Sequence, residues 1–316
     1  MNITNAVSCS SIHRPWFDRL PILVLEAGLV LAWSSGFIGA RFSIDYSPPL
    51  LVVFWRCALI CLVLLPFVAK ALRNASAKAL LQNAGIGFLA MTGYLWGVVQ
   101  GIALGVPAGL AALLADMLPI GMALLTTVMP GHRLSWRVWL GLGTGLVGVI
   151  LVGRDALTLS DAPLWTYSLP LLGMGSLALA TLWRKQLSPR TMMALLPNLW
   201  LQCAVSAIAF GVHQSWQGSL VPQLTAGLAI SVLWTAAVST VGGYGLYWLC
   251  LRRSSATRVA SVLYLSPAVT LVWAWVAFGE PLSWLMAVGT AISVLGVWIV
   301  VRAERESDKQ LNRNSQ

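Results

Sequence analysis

Residues 107–152 read PAGLAALLADMLPIGMALLTTVMPGHRLSWRVWLGLGTGLVGVILV, and residues 255–300 read SATRVASVLYLSPAVTLVWAWVAFGEPLSWLMAVGTAISVLGVWIV. Shifted by 148 positions, the two stretches align without a gap and share twelve of 46 residues. The identities pair Pro119 with Pro267, Gly131 with Gly279, Leu134-Ser135-Trp136 with Leu282-Ser283-Trp284, Gly141 with Gly289 and Gly148 with Gly296. Each copy reads as an apolar helix with a proline in its middle, a Gly-x-x-Leu-Ser-Trp turn and a second apolar helix. An internal repeat decides the fold before any single residue does, because it divides the chain into related halves.

Working outward, the 316 residues are 58% hydrophobic and 9% charged, with a mean hydropathy of +0.79. A soluble domain carries about 25% charged residues. Apolar runs of about 18 residues with few charges read as membrane spans. Ten occur: Pro21–Ala40, Pro49–Ala69, Ala79–Val99, Val106–Val128, Trp136–Val152, Trp165–Trp183, Met192–Val212, Leu224–Leu249, Ala256–Phe278 and Trp284–Val301. The expected fold is an all-α integral membrane protein of ten transmembrane helices with short connections. Five spans per half is odd, so the second half enters the membrane in the opposite sense to the first. Such inverted repeats mark secondary transporters, whose substrate sits near the midplane between the repeats. The expected divisions are a cytoplasmic leader (residues 1–20), two five-helix repeats (residues 21–153 and 154–303) and a polar cytoplasmic tail (residues 304–316).

The net charge of +10 invites a nucleic-acid partner, but the positions of the charges exclude that reading. With the N-terminus inside, 17 of 20 basic residues fall on cytoplasmic segments, leaving Arg41 and Arg154 outside and Arg56 within a span. This is the asymmetry of the positive-inside rule, so both termini are expected in the cytoplasm. The five cysteines contain no C-x-x-C. Cys57 and Cys61 share a helix face, but their span holds no His, so they read as small apolar filler rather than metal ligands.

Ionisable groups within the hydrocarbon are costly and face a partner or a cavity. Glu26, Arg56 and Asp116 are the clear cases. Counted from the outer span ends, Arg56 lies roughly 10 Å and Asp116 roughly 15 Å deep, at about 1.5 Å per residue. Two readings stand at this point. Arg56 and Asp116 pair with each other; or Arg56 receives a substrate carboxylate while Asp116 or Glu26 takes an ammonium group or a coupling proton. Trp96, Trp200, Trp234 and Tyr264 lie at mid-depth and either line an amphipathic cavity or pack as core and lipid-facing aromatics. Pro119 and Pro267 interrupt their spans at matching positions, which is a pointer to a transporter's binding site and equally to a packing kink. Glu280, in an outer turn, reads as a cap or a loop charge.

The chain resembles the drug/metabolite transporter superfamily, in its EamA-type ten-span members. The segments that carry the resemblance are Trp33-Ser34-Ser35-Gly36-Phe37, Phe54-Trp55-Arg56, Leu265-Ser266-Pro267 and Gly279-Glu280-Pro281-Leu282-Ser283, followed by Gly289 and Gly296. The first repeat has His132-Arg133 where the second has Glu280-Pro281. The resemblance implies an inner-membrane transporter built as inverted five-helix repeats around a central cavity, often an exporter of amino acids or related metabolites. A secondary exporter of a small amphipathic metabolite is therefore expected, in contact with membrane lipid; with no P-loop in the chain, its energy source is a proton gradient with protons as the coupling ion, exchange or facilitated diffusion. The alternative is a flippase for a lipid-linked small headgroup. No cofactor or metal is expected. The chain has no P-loop and no nucleophile–base pair, and its three histidines lie in loops or at span ends, so an enzyme is not expected.

Overall fold

The computed structural model describes residues 20–128, 135–158, 162–280 and 282–314. Most of the expected leader and the His132-Arg133 turn lie outside these residues. The described chain is helical, with no strand. Its elements are α1 (Ile22–Ser43), α2 (Pro49–Arg73), α3 (Ala77–Gly87), α4 (Tyr94–Ala103), α5 (Ala108–Ala115), α6 (Leu118–Val128) and α7 (Trp136–Thr158). They continue with α8 (Ser168–Lys185), α9 (Leu195–Gln217), α10 (Ala226–Trp234), α11 (Gly245–Arg253), α12 (Ala256–Val262), α13 (Ser266–Phe278) and α14 (Trp284–Asn314). A π-helical segment, Phe88–Gly93, joins α3 to α4, and a second, Thr235–Tyr244, joins α10 to α11. Among the described residues, six continuous helical stretches are long and apolar enough to cross a membrane, and three shorter apolar helices accompany them. The protein is therefore a multi-pass membrane protein.

Local chemistry sets the boundaries. Pro49 opens α2 with its φ already helical, and Lys70 and Arg73 close it where cations favour the helix dipole. The Ser76 hydroxyl accepts from the Ala79 amide at 3.2 Å, and Thr225 caps α10 through the Leu228 amide at 3.1 Å. Gly105 (φ +99°) forms the turn into α5, and Gly279 (φ +67°) ends α13; both need a left-handed backbone that favours glycine. The residues expected as a polar tail continue α14 as helix to Asn314.

The α-helices around the two prolines are interrupted at matching positions. Asp116 and Met117 separate α5 from α6, and a 3-10 turn, Leu263–Leu265, separates α12 from α13. Each proline sits in the first turn of the helix that follows, where a missing N–H leaves nothing unpaired. Displaced by the 148 residues of the repeat, the Asp116 break falls on residue 264, and Phe88–Gly93 falls on residues 236–241, within the second π segment.

Close helix pairs form where side chains are small. A Cβ on Gly39 would lie 2.6 Å from the Thr235 methyl group, and one on Gly36 would meet the Ser239 hydroxyl, so α1 crosses the second π segment at short range. The α7 and α14 helices run antiparallel, with Gly141 against Val300 and Gly148 against Gly289. In such seams, dispersion between touching backbones replaces the hydrophobic drive that lipid cannot supply.

Candidate substrate site

The buried centre of the bundle is an aromatic cluster around Trp33. Its indole lies 5.3 Å from the Tyr94 ring, 5.2 Å from Tyr244 and 5.4 Å from Tyr247. The π segments deliver these rings: Tyr94 directly follows the first, and Tyr244 ends the second. A π turn winds the chain more widely than an α turn and occurs often at functional sites. The Tyr244 hydroxyl donates to the Ala90 carbonyl, 3.0 Å away inside the other π segment, which ties the two together.

Two opposite charges approach this cluster. Arg56, 3% exposed, lines a cavity of about 30 Å³ with Trp33, Tyr94, Ser239 and Tyr244. That volume holds about one water molecule. Asp116, 1% exposed, lies at the α5–α6 break with Trp33 and Ser266 as polar neighbours and the Tyr94 and Tyr264 hydroxyls within electrostatic range. Ser266 is held by Ser34, whose hydroxyl meets its hydroxyl and its carbonyl at 3.1 Å each. Among the described residues, Arg56 and Asp116 make no salt bridge with each other or with any other group. The Arg56 Nε and Nη2 atoms, one Asp116 carboxylate oxygen and the Tyr94 and Tyr264 hydroxyls are buried without hydrogen-bond partners. Native proteins leave few buried polar atoms in that state, and each calls for an explanation: strain, an ordered water or ion, or a functional role.

A wider vestibule of about 430 Å³ opens at one end of the bundle, bordered by Arg41, Asp45 and Glu280 and reaching Leu110 and Leu271. Leu110 stands six residues before Asp116, about 9 Å of helix rise. Glu280 caps a helix of the other half: its carboxylate accepts from the Ala108 amide at 3.3 Å, at the start of α5. Toward the other end, which holds Arg184 and Arg258, Glu26 receives Arg258 Nε at 2.8 Å and Nη2 at 3.0 Å in a forked pair. Glu26 is thereby engaged away from Arg56.

The remaining aromatics named from the sequence do not converge. Tyr264 is buried beside Asp116. Trp96 is 38% and Trp234 40% exposed, the latter donating its indole N–H to the Ser35 carbonyl. The half-buried Trp200 bonds the Cys61 carbonyl at 2.9 Å and so fastens α9 to α2. Trp33, Tyr94, Tyr244 and Ser266 are not among the site residues expected from the sequence, although Trp33 and Ser266 lie in the segments that carry the family resemblance. Their signals were the Trp-Ser-Ser-Gly run of α1 and the Tyr–Gly mixtures Tyr94–Gly97 and Gly242–Gly245.

The profile of the EamA-like transporter family matches residues 20–154 and again residues 164–302. The chain belongs to the EamA-like transporter family. It is therefore a transporter of the drug/metabolite superfamily. A "Probable amino-acid metabolite efflux pump" of Salmonella typhimurium is 26% identical over 283 residues, covering 86% of this chain and 92% of that protein. The protein of the same description from Escherichia coli is 25% identical over 285 residues, covering 88% and 94%. An uncharacterized transporter of Archaeoglobus fulgidus is 22% identical over 88% of this chain and 98% of its own length. A crystal structure superposes with a TM-score of 0.67 at 16% identity, covering 90% of this chain and 98% of its own, a likeness of fold alone. This EamA-like chain thus spans nearly the whole length of these relatives.

Proposed function

We propose that this EamA-like transporter exports a small zwitterionic metabolite of the amino-acid type across a bacterial inner membrane, by alternating access around the Trp33 cluster. The observation that carries the reading is that Arg56 and Asp116, two buried ionisable side chains of opposite type, make no ion pair and each leave polar atoms unbonded, with Trp33 and Tyr94 next to both. An α-carboxylate matches the planar fork of a guanidinium. An ammonium group, or a proton in its place, matches a carboxylate that has no cation of its own. Tyr264 and Ser266 complete the Asp116 side. The two relatives described as efflux pumps support export and the amino-acid class.

The reading takes residues 21–153 and 154–303 as two inverted five-helix repeats giving ten spans. Three features support it: the coincident π segments, the coincident interruptions (a break at Asp116 and a 3-10 turn at Tyr264), and the α7–α14 seam. In that seam Gly141 meets Gly296 while Gly289 meets Gly148, a contact that maps onto itself when the halves are exchanged. With both termini cytoplasmic, the vestibule faces outward and the Glu26–Arg258 pair closes the inner end. Among the aromatics, Trp33, Tyr94, Tyr244 and Tyr264 line the pathway, while Trp200 and Trp234 hold helices around it and Trp96 stands partly exposed. A lipid-linked substrate is less well served. The crevice of about 630 Å³ between α2 and the start of α10, lined by residues such as Trp55, Leu224 and Thr225, carries no charged side chain to receive a headgroup.

The test is counterflow in proteoliposomes loaded with a panel of amino acids, with and without an imposed pH gradient. Saturable exchange of a zwitterionic amino acid, absent for its methyl ester and its N-acetyl derivative, is expected. Equal flux of the blocked compounds would sink the reading, because neither could engage both charges.

A further inference from the structure

At the end opposite the vestibule lies a separate cavity of about 270 Å³, lined by Thr181, Arg184, Lys185, Met192, Leu251 and Arg252. Three of the six are cations and none is acidic. Helix ends explain part of this, because cations favour the carbonyl-rich C-terminus of a helix. Lys185 follows that rule: its ammonium group donates to the carbonyls of Leu251 (2.9 Å) and Ser254 (3.1 Å), where α11 ends.

Arg184 also stands in the last turn of α8, but its guanidinium makes no such bond through Nη1 or Nη2. The residue is 4% exposed, and Nη1 and Nη2 are buried without hydrogen-bond partners. The guanidinium carbon lies 4.7 Å from the Trp248 ring centre, and that ring is held by its own N–H bond to Gln202 Oε1 at 3.0 Å. Stacking satisfies the face of the guanidinium but not the N–H groups on its edge. A buried cation left in that condition costs several kcal/mol unless an anion joins it. The groups on the cavity are those that bind phosphate: a preorganised guanidinium fork with two further cations beside it.

We propose that this cavity is an anion site that takes a phosphate group, presented by an anionic phospholipid headgroup or by a free phosphate. Arg184 binds it through its fork, Lys185 supplies the ammonium donor it has left, and Arg252 adds charge from the exposed wall. Basic pockets between membrane helices recognise anionic lipids by this chemistry. The site lies apart from Arg56 and Asp116, and its occupancy does not depend on what the central chamber carries.

The experiment uses the full chain purified in a neutral detergent. Native mass spectrometry and thermal unfolding are recorded with phosphatidylglycerol, with phosphatidylcholine and with inorganic phosphate. Expected is retention of phosphatidylglycerol over phosphatidylcholine, or stabilisation by inorganic phosphate; the first identifies a lipid source and the second a free anion. Arg252→Gln, an exposed change that leaves the core intact, should weaken the effective ligand about fivefold, as removal of one interfacial cation does. Arg184→Gln should weaken it further. Equal binding of both lipids with no response to phosphate overturns the proposal. So does a phosphatidylglycerol or phosphate effect that survives both substitutions unchanged.

Discussion

Gly148 and Gly289 face each other across the α7–α14 seam so closely that a Cβ on either would collide with the other's carbonyl oxygen. The two residues come from opposite halves, and each has its own repeat mate, Gly296 and Gly141, in the same seam. Backbone pressed against backbone leaves no side chain that can give way.

Gly148→Val should therefore lower the thermal unfolding temperature in detergent, at a cost of about 1–3 kcal/mol for overpacking. Gly143, on the same helix with nothing within 4 Å of an added Cβ, is the control. Gly143→Ala should leave the temperature unchanged, and equal losses from both would remove the seam as the cause.

Arg56 and Asp116 are predicted to matter to transport rather than to folding. Arg56→Gln and Asp116→Asn should each reduce exchange by about 30-fold or more, the equivalent of the roughly 2 kcal/mol lower bound for losing one partner of a buried charge pair. Their thermal stability should hold or rise, because an uncompensated buried charge has been removed. Full flux in both variants would show that neither side chain touches the substrate.

The tyrosine hydroxyls separate two roles. Tyr244 donates to Ala90, whereas Tyr94 has no partner. Tyr244→Phe should cost about 0.5–1.5 kcal/mol of stability, the net value of one hydrogen bond. Tyr94→Phe should cost nothing in the resting protein and show its effect in the half-saturation concentration for substrate. A stability loss in Tyr94→Phe equal to that in Tyr244→Phe would place a hidden partner on the Tyr94 hydroxyl.

The Glu26–Arg258 fork joins α1 to α12, with 6% and 21% of the two side chains exposed. Glu26→Gln should destabilise the protein by about 1–3 kcal/mol, less than the 3–5 kcal/mol of a fully buried pair, because Arg258 retains some solvent. It should also raise labelling of a cysteine placed at Ser34, if the pair closes its end of the pathway. Exchange of the two residues, Glu26→Arg with Arg258→Glu, should restore both readouts, and failure of both to move in Glu26→Gln would leave the pair without that role.

Much of this was legible in the chain because the features were local or periodic. Span length follows from runs of apolar residues, and duplication follows from a gap-free offset. Pro119 and Pro267 announced broken helices through chemistry that a proline carries wherever it stands. Asp116 and Arg56 were visible as charges in apolar surroundings. Their failure to pair was not, since two charges at similar depth on different helices meet or miss according to how those helices rotate. Glu26 illustrates the same limit: its partner, Arg258, lies 232 residues away. The π segments had no sequence signal of their own. A one-residue widening of a helix is set by what packs against it, here Tyr244 on Ala90 and Gly36 on Ser239.

That the chain is helical, membrane-embedded and duplicated can be read from its residues alone, because these properties depend on composition and spacing along one dimension. The sequence also held the family, since the Gly-Glu-Pro-Leu-Ser turn and the glycine spacings recur in order. Tertiary structure alone decided that Trp33, rather than Trp96 or Trp234, is the centre, and that Glu280 caps a helix in the other half. It also decided that Arg184 is buried without a partner over Trp248. Each is a matter of which faces of distant helices meet, and in a membrane, where nearly every face is apolar, hydrophobic pattern does not say which way a helix turns.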